Sequence, residues 1–496
     1  MRRKLVGLRN LGRLDSALDS AGLKAAGSAA NDVRLTTRLV HGLPWAAIAL
    51  AAGLASLFGS VEPTATSAEP GIAPPTPIKH VVIIYQENHS FDNALGRLCV
   101  VYRRCDGATH GFLPSGDGIT LSKADDIVLP INHDLNTQKA AMNGGMMNGF
   151  ANIPACTESK GYACYTQYYP SQIPNLAALA RRFVISDRTF SMDPIASWGA
   201  HLELVAGQLD GFTGSLPVKT SSSGDLPGWG CDSNRDAAWR ASPTADVQLV
   251  PSCVPHFSLD PTLYPYGGAY RPTPVKYVPT IMDRLNHAHR TWKLYASTGP
   301  GVGSYGWAIC PTFAECLYKQ RHKMVPSERV IDDAQRGKLP SFSIVLPEGA
   351  NSQHNFDSML QGDNWIGSVV GAIQGSPDWP KTAIFITYDD CGCFYDHVPP
   401  PIKGWGIRAP MVLISPYAKP HYTDSRNASF ASMLAFTEHV FGLKPLSVRD
   451  ANAYDYAESF DFKRAVLRRA KMTHSRISPQ ERRYLKAHPG DPDDPT

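Results

Sequence analysis

The stretch IKHVVIIY, residues 78–85, runs directly into the polar segment QENHSFD, residues 86–92. Residues 78–85 form a short apolar run rich in β-branched residues, which is typical of a strand buried on both faces of a sheet. The polar segment 86–92 begins where that strand is expected to end. Since active sites of open parallel sheets gather at the carboxyl ends of the strands, this junction predicts a functional loop.

Similar apolar runs recur along the chain and predict further strands, at 183–186, 341–346, 382–387 and 410–415. Between them, apolar residues repeat at helical spacing in three stretches, at 173–183, 365–373 and 430–441. Strands that alternate with helices predict an α/β fold with a mainly parallel central sheet flanked by helices. Two regions rich in Gly, Pro, Asn and Cys, residues 99–170 and 210–275, break this alternation. We expect them to be disulfide-pinned loop insertions that form a cap over the sheet.

The chain has ten cysteines, and eight of them fall in couples at short spacing. These couples are Cys99/Cys105, Cys156/Cys164, Cys231/Cys253 and Cys310/Cys316. They predict local disulfides and an oxidising compartment. A fifth couple, Cys391 and Cys393, would close a tight, strained ring if bridged. A zinc site is the alternative, and the lack of any CxxC pair in the sequence disfavours it.

Composition and charge narrow the class of protein. The 496 residues are 43% hydrophobic and 19% charged, which indicates a globular chain. The net charge of +4 comes from residues 1–68, because 40 of the 48 basic and 40 of the 44 acidic residues lie after them. The neutral remainder gives no sign of a nucleic-acid partner.

The two ends of the chain are predicted to lie outside the folded domain. Residues 43–61 are almost purely apolar, follow Arg34 and Arg38, and precede small residues that end at Ala68. This pattern predicts that residues 1–68 are an export signal or a membrane anchor, with possible membrane contact there. The lead-in of about forty residues indicates either translation from near Val33 or an uncleaved anchor. Residues 69–77 read as a linker and 470–496 as a polar tail that frays.

Two acidic clusters directly follow predicted strands. Glu87 and Asn88 come after the first strand, and Asp389 and Asp390 come after the strand at 382–387. Carboxylate and amide oxygens suit a hard divalent cation, and adjacent carboxylates repel each other unless a cation neutralises them. Turn formation is the alternative, because Asn and Asp favour turns. Turn formation is the preferred interpretation for Glu87 and Asn88 taken alone, whereas metal binding is the preferred interpretation for Asp389 and Asp390.

Ser197 lies at a predicted helix start after the strand at 183–186. There a hydroxyl group faces free backbone N–H groups and the positive end of the helix dipole, which suits an anion. A plain N-cap serine is the alternative. No GxSxG motif surrounds Ser197, which argues against an esterase of the α/β-hydrolase type. His133 and His354 are individually weak candidates for contacts with a phosphoryl group. His397 has three possible roles: metal ligand, phosphate donor or structural partner of Asp396.

Together these segments resemble the bacterial phosphoesterase family of secreted phospholipases C and acid phosphatases, within the alkaline phosphatase superfamily. The resemblance runs in order from about residue 78 to 443. It rests on residues 78–92, where His89 replaces the usual Arg, and on NGGMMNGF at 143–150, where Asn148 replaces Asp. It also rests on TYDDCGCFYDHVPPP at 387–401, where Cys393 replaces the usual Gly.

The resemblance implies an alkaline phosphatase-like domain over residues 78–469 and a metal-dependent phosphoric-ester hydrolase. It implies that Ser197 is the nucleophile and forms a phosphoserine intermediate, with His354 or His133 contacting the phosphoryl group or protonating the leaving group. The implied ligands of a divalent metal cation are Glu87, Asn88, Asp389 and Asp390.

The implied substrate is a phosphate ester or a phospholipid, and a serine nucleophile favours the phosphatase branch. A family Asn that helps to bind phosphate is replaced by Ala200. Two alternatives stay open: a hydrolase of sulfate or related esters, and a non-catalytic surface protein that retains the fold. The first is disfavoured by the missing Cys/Ser-x-Pro-x-Arg signature. The protein is expected to be exported to the periplasm or the outside, or anchored in the membrane.

Overall fold

The structure, a computed structural model, describes residues 76–219, 229–256, 273–299, 305–466 and 468–488. The predicted export signal or anchor, most of the linker and the last eight residues lie outside these ranges. Within the described ranges, none of the helices combines the length and the apolar character that a bilayer crossing needs.

The helices are α1 (Arg97–Tyr102), α2 (Leu135–Met142), α3 (Pro174–Arg182), α4 (Ser197–Ala206), α5 (Ile281–His287), α6 (Arg329–Gln335), α7 (Met359–Gly375), α8 (Ala431–Phe441), α9 (Val448–Ala451) and α10 (Pro479–Ala487). The strands are β1 (His80–Gln86), β2 (His110–Phe112), β3 (Gly118–Thr120), β4 (Ser122–Lys123), β5 (Thr166–Gln167), β6 (Val184–Ser186), β7 (Thr189–Phe190), β8 (Val218–Lys219), β9 (Arg235–Trp239), β10 (Gln248–Pro251), β11 (Trp292–Tyr295), β12 (Met324–Val325), β13 (Phe342–Val345), β14 (Thr382–Tyr388), β15 (Met411–Ile414), β16 (Thr423–Asp424) and β17 (Ala428–Ser429).

Eight strands form the central sheet, in the order β12-β11-β13-β1-β14-β15-β6-β16. The central strand β1 pairs in parallel with β13 and β14, and only β15 runs antiparallel to its neighbours. Two groups of helices cover the sheet, one containing α3, α6 and α7 and the other containing α4, α5, α8 and α9. The predicted α/β fold with a mainly parallel sheet is therefore confirmed. The apolar run of β1 is buried on both faces, as its composition required.

The two insertions have small sheets of their own and three disulfides, Cys99–Cys105 and Cys156–Cys164 in the first and Cys231–Cys253 in the second. A fourth bridge, Cys310–Cys316, lies after the second insertion, and all four pairings are those that the spacing predicted. The buried thiols of Cys391 and Cys393 are unbridged, with their Sγ atoms 4.0 Å apart. Apolar residues of the first insertion pack on the loop that follows β14, in a cluster that contains Phe150, Tyr165 and Tyr395. The first insertion thus covers the carboxyl end of the sheet.

Residues 470–488 of the predicted polar tail are described, whereas residues 489–496 lie outside the described ranges. Backbone N–H groups of Thr473 and Ser475 donate to the side-chain oxygens of Asn175 (2.7 Å) and Asn364 (2.8 Å), on α3 and α7. Ser478 then caps α10. Residues 473–475 thus form a strap that is held to α3 and α7 through its backbone N–H groups. This is a contact with distant helices that composition does not reveal.

Candidate active site

The pairing of β1 with β14 brings the two acidic clusters together. Gln86 lies opposite Tyr388 at the carboxyl ends of these adjacent parallel strands. The residues that follow, Glu87 and Asn88 on one side and Asp389 and Asp390 on the other, are therefore neighbours, and all four are buried. The backbone N–H of Asn88 donates to Asp389 Oδ1 at 2.9 Å and ties the two loops to each other.

The loop after β14 is held by a tight turn. Gly392 has φ +54°, and a Cβ placed there would lie 2.2 Å from the carbonyl oxygen of Asn88. The N–H of Asp390 donates to Asp389 Oδ1 (2.8 Å), and the N–H of Gly392 donates to Asp390 Oδ1 (2.7 Å). One oxygen of each aspartate is thus committed to the loop, which leaves the other oxygen available.

Five buried oxygen atoms at this edge of the sheet make no hydrogen bond with any described residue. They are Glu87 Oε2, Asn88 Oδ1, Asp389 Oδ2, Asp390 Oδ2 and Ser197 Oγ. Burying such groups without a partner is costly, so a cluster of them indicates a bound group that completes the site. Carboxylate and amide oxygens are the donors that hard divalent cations prefer. The donor set of this site therefore fits a divalent cation.

Ser197 is the first helical residue of α4, and the N-cap position belongs to Ala196. Its hydroxyl therefore does not cap the helix, in contrast to the plain N-cap alternative. The first-turn N–H groups of α4 have no partners inside the helix, and the positive end of its dipole is here. Because residues four apart share a helix face, α4 also places His201 beside Ser197.

His201 is the site residue that sequence reasoning missed. Its Nε2 lies 3.4 Å from Glu87 Oε1, and ligand atoms of Glu87, His201 and Asp389 all lie within 4.8 Å of one another. Burial lowers the pKa of His201 to about 4, so its imidazole is neutral and can act as a metal ligand. The spacing Ser197 to His201 was the available signal, because it predicts one helix face for both.

Burial also controls the acidic groups. It raises the pKa of Glu87 to about 8, and burial together with the charge of Glu87 raises the pKa of Asp389 to about 7. The pKa of Asp390 is raised further, by burial and by Asp389. The Ser197 hydroxyl lies close enough to Glu87 and Asp389 to lower both pKa values, although it is outside hydrogen-bonding geometry. A neighbouring cation would favour the ionised carboxylates.

Of the two predicted phosphoryl contacts, His133 lies near Asp390 and His354 lies near His133. His133 Nε2 is 4.0 Å from Asp390 Oδ2, and its Nδ1–H donates to the carbonyl of Ile131 at 2.7 Å. That bond places the proton of the neutral ring on Nδ1. The ring of His354 lies 6.1 Å from that of His133 and 5.6 Å from that of Trp307. The structure thus brings His133 and His354 together.

His397 has a structural role. Its Nδ1 lies 2.5 Å from Asp92 Oδ2 and its Nε2 lies 3.0 Å from Asp106 Oδ1, so both ring nitrogens are engaged. Asp92 and Asp396 form a second buried acidic group, separate from the one at Glu87, and Arg408 pairs with both carboxylates and neutralises their charge. Burial opposes the charge of His397, but Asp92 outweighs it and raises the pKa to about 9. Its main partner is Asp92, whereas the sequence suggested Asp396.

Comparison with known proteins finds a family and relatives that match most of the chain. The model of the Phosphoesterase family matches residues 78–444. The chain is 26% identical to Non-specific phospholipase C1 of Arabidopsis thaliana, over 77% of this chain and 71% of that protein. It is 24% identical to Hemolytic phospholipase C of Pseudomonas aeruginosa, over 87% of this chain and 62% of that protein. A solved alkaline phosphatase superfamily protein from Vibrio parahaemolyticus is 13% identical, with a TM-score of 0.33 over 78% of this chain and 74% of that one.

The family match spans both acidic strand ends, Ser197 and the histidines that lie beside them. It extends over most of the chain, from the first strand of the central sheet to the end of α8. The chain therefore belongs to the Phosphoesterase family and is a hydrolase that acts on phosphoric ester bonds.

Proposed function

We propose that this hydrolase requires a divalent metal cation and acts through Ser197 as the nucleophile, with a phosphoserine intermediate. The observation that carries the proposal is the group of five buried, unpartnered oxygens at the ends of β1 and β14 and at the start of α4. Four of them are metal-type donors and the fifth is a hydroxyl that does not cap its helix. This combination suits attack on a phosphoryl group bound beside a cation.

Glu87, Asn88, Asp389 and Asp390 would hold the cation, together with His201. When bound, it would lower the pKa of a nearby hydroxyl and neutralise charge on a phosphoryl oxygen. The N–H groups at the start of α4 point toward a phosphoryl group in front of Ser197 and stabilise its negative charge. Glu87 or Asp389, beside the hydroxyl, accepts its proton.

Ser197 Oγ then forms a bond to phosphorus while the bond to the alcohol oxygen breaks, which leaves a phosphoserine. His354, or His133 when both of its ring nitrogens carry protons, donates a proton to the departing alkoxide. Water next cleaves the phosphoserine, releases the phosphoryl product and restores the Ser197 hydroxyl. The net reaction is hydrolysis of one ester bond.

The proposed substrate is a phospholipid or another phosphate ester. Relatives whose names are phospholipases C support a phospholipid, although the chain spans only 62% and 71% of the two described above. We also infer export from the cell, because four disulfides suit an oxidising compartment. The predicted signal or anchor at residues 1–68 stays a prediction.

The test is hydrolysis of p-nitrophenyl phosphate and p-nitrophenyl phosphorylcholine by the purified protein, with and without EDTA. Ser197→Ala should lower kcat/KM at least about a thousandfold, because it removes the group that attacks phosphorus. Ser343→Ala is the matched control, since the hydroxyl of Ser343 is also buried without a partner but lies within β13. Activity that survives in Ser197→Ala, or that is insensitive to EDTA and to added divalent metals, would contradict the proposal.

A further inference from the structure

A cavity of about 550 Å³ lies at the edge of the central sheet opposite to the candidate active site. Arg182 and His421 line it, and each precedes a strand by two residues, β6 in one case and β16 in the other. β6 and β16 are parallel, and β15 runs antiparallel to both β14 and β6, so β6 has the direction of β14. The cavity is therefore at the amino ends of these strands, whereas the buried acidic loops follow the carboxyl ends of β1 and β14.

The lining of the cavity is strongly basic, and the described lining contains no acidic residue. Its basic members are Arg103, Arg104, Arg181, Arg182, His421 and Lys471. Among the described residues, no carboxylate forms an ion pair with any of them. Burial, and after it the charge of Arg181, lower the pKa of Arg104 to about 10. Like charges gathered in this way repel one another, and a bound anion would relieve that repulsion.

Arg104 holds the walls of the cavity in place. It belongs to the loop that the Cys99–Cys105 disulfide closes. Its guanidinium group donates to the backbone carbonyls of Ala180 and Phe183, at the end of α3. It also donates to the carbonyl of Tyr422, before β16, at 3.0 Å. The cavity is thus assembled by contacts within the chain, so that binding a ligand need not pay for ordering it.

Several N–H groups around the cavity remain available to a ligand. The Nε atoms of Arg104 and Arg182 are buried, and neither has a hydrogen-bond partner in the part of the chain that the structure describes. Buried donors of this kind normally have a partner, which here would be water or a ligand. Arg181 stacks its guanidinium group on the ring of Tyr102 at 4.3 Å, which uses the face of the group and leaves the N–H groups at its edge. Guanidinium N–H groups match the oxygens of a phosphate group.

The segment at residues 463–471 adds positive charge beside the cavity. It contains five basic residues and no acidic residue. Its last two residues, Ala470 and Lys471, line the cavity. The backbone N–H of Ala470 donates to Gln374 Oε1 on α7 at 3.0 Å and fixes this end of the segment. A concave surface with charge of one sign raises the local concentration of small ions of the opposite sign.

We propose that this cavity binds a small soluble anion with two or more phosphate groups, through Arg103, Arg181 and Lys471. The volume is in the range of sites for small organic ligands, and a single phosphate would fill little of it. A bilayer with anionic lipids also attracts exposed arginines, but it is flat and does not enter a cavity. Docking on a bilayer here would also turn the candidate active site away from the membrane. The inference is independent of the proposed function, because these residues take no part in that chemistry.

The experiment is a calorimetric titration of the full-length protein with pyrophosphate. The test variant combines Arg103→Asn, Arg181→Gln and Lys471→Gln, which replace exposed side chains. Asparagine is chosen at position 103 because Arg103 has φ +48°, which asparagine tolerates. The variant should raise the Kd for pyrophosphate at least about tenfold, because it removes three charged donors.

The matched control removes three other exposed basic side chains, Lys160→Gln, Arg336→Gln and Lys338→Gln. It lowers the net charge by the same amount, and its Kd should stay within about twofold of the wild type. The candidate active site is identical in all three proteins, so a difference between them reports the cavity. Turnover of p-nitrophenyl phosphate without pyrophosphate should be equal within about twofold, which separates this result from any failure of the proposed function. If the test variant does not fold, Arg103→Asn and Lys471→Gln are titrated singly, and each should raise the Kd at least about threefold.

Three results would overturn the proposal: a wild-type protein that binds no pyrophosphate, an unchanged Kd in the folded test variant, or equal weakening in test and control variants. Cosedimentation with phosphatidylglycerol vesicles distinguishes the other source of phosphate groups. If the test variant loses vesicle binding while the wild type binds no pyrophosphate, the basic residues serve a membrane surface and the soluble anion is wrong.

Discussion

Replacing Gly392 with alanine is expected to disable the active site while the protein stays folded. Gly392 has φ +54°, and the new Cβ would lie 2.2 Å from the carbonyl oxygen of Asn88, where ordinary contacts begin at 3.4 Å. The two loops must therefore separate by about 1.2 Å. These loops carry Asp389 and Asp390 on one side and Asn88 on the other. A misplacement of about 1 Å in a catalytic site costs on the order of 100-fold in rate.

The stability cost has two parts that a control can separate. A non-glycine residue in the left-handed region costs about 1–2 kcal/mol, and the collision with Asn88 adds to this. Gly161 has φ +67°, with open space where a Cβ would be placed. Gly161→Ala therefore carries the same backbone strain without a collision and lies in the first insertion, away from the acidic loops.

The assay is kcat/KM for p-nitrophenyl phosphorylcholine, or for p-nitrophenyl phosphate if that ester is preferred, together with thermal unfolding of each variant. Gly392→Ala should lose about 100-fold in kcat/KM, whereas Gly161→Ala should stay within about twofold of the wild type. The midpoint temperature of unfolding should be a few degrees lower in both variants than in the wild type. Wild-type kcat/KM in a folded Gly392→Ala variant would refute the reasoning, because the loops would then tolerate a displacement that the site geometry does not.

Three further predictions concern other residues of the two buried acidic groups. His201→Ala should weaken divalent metal affinity at least about tenfold in a calorimetric titration, and unchanged affinity would exclude His201 as a ligand. Arg408→Met should lower the free energy of unfolding by about 3–5 kcal/mol in urea, because it leaves Asp92 and Asp396 buried without a cation; a loss below about 1 kcal/mol would contradict this. The pKa of His397 in the folded protein, about 9, lies above the ordinary histidine value of 6.5, so the stabilisation that protonated His397 provides is complete below pH 6.5 and disappears as the pH rises through 9. Urea unfolding at both ends of that range should show that the free energy of unfolding depends less on pH in His397→Asn than in the wild type. An equal pH dependence in the two proteins would refute the assignment.

Local sequence patterns were sufficient to predict the main strands of the central sheet and the disulfides. The apolar run at 78–85 became β1, and the run at 382–387 became most of β14. Short cysteine spacings predicted all four disulfides, because bridges between residues close in sequence depend little on the rest of the fold. The polar strap at 470–475 was not predicted, since its hydrogen bonds go to α3 and α7.

Some features of the candidate site could likewise be predicted from the sequence, and others are visible only in the structure. The sequence by itself determined that acidic and amide residues follow two buried strands and that Ser197 starts a helix, because strand ends and helix starts are local features. Only the tertiary structure decided that β1 and β14 are neighbours, that His201 joins Glu87 and Asp389, and that His397 is bound by Asp92 and Asp106. These relations join residues up to 305 positions apart. Strand order and packing between distant segments depend on how the whole chain folds, which local periodicity does not encode.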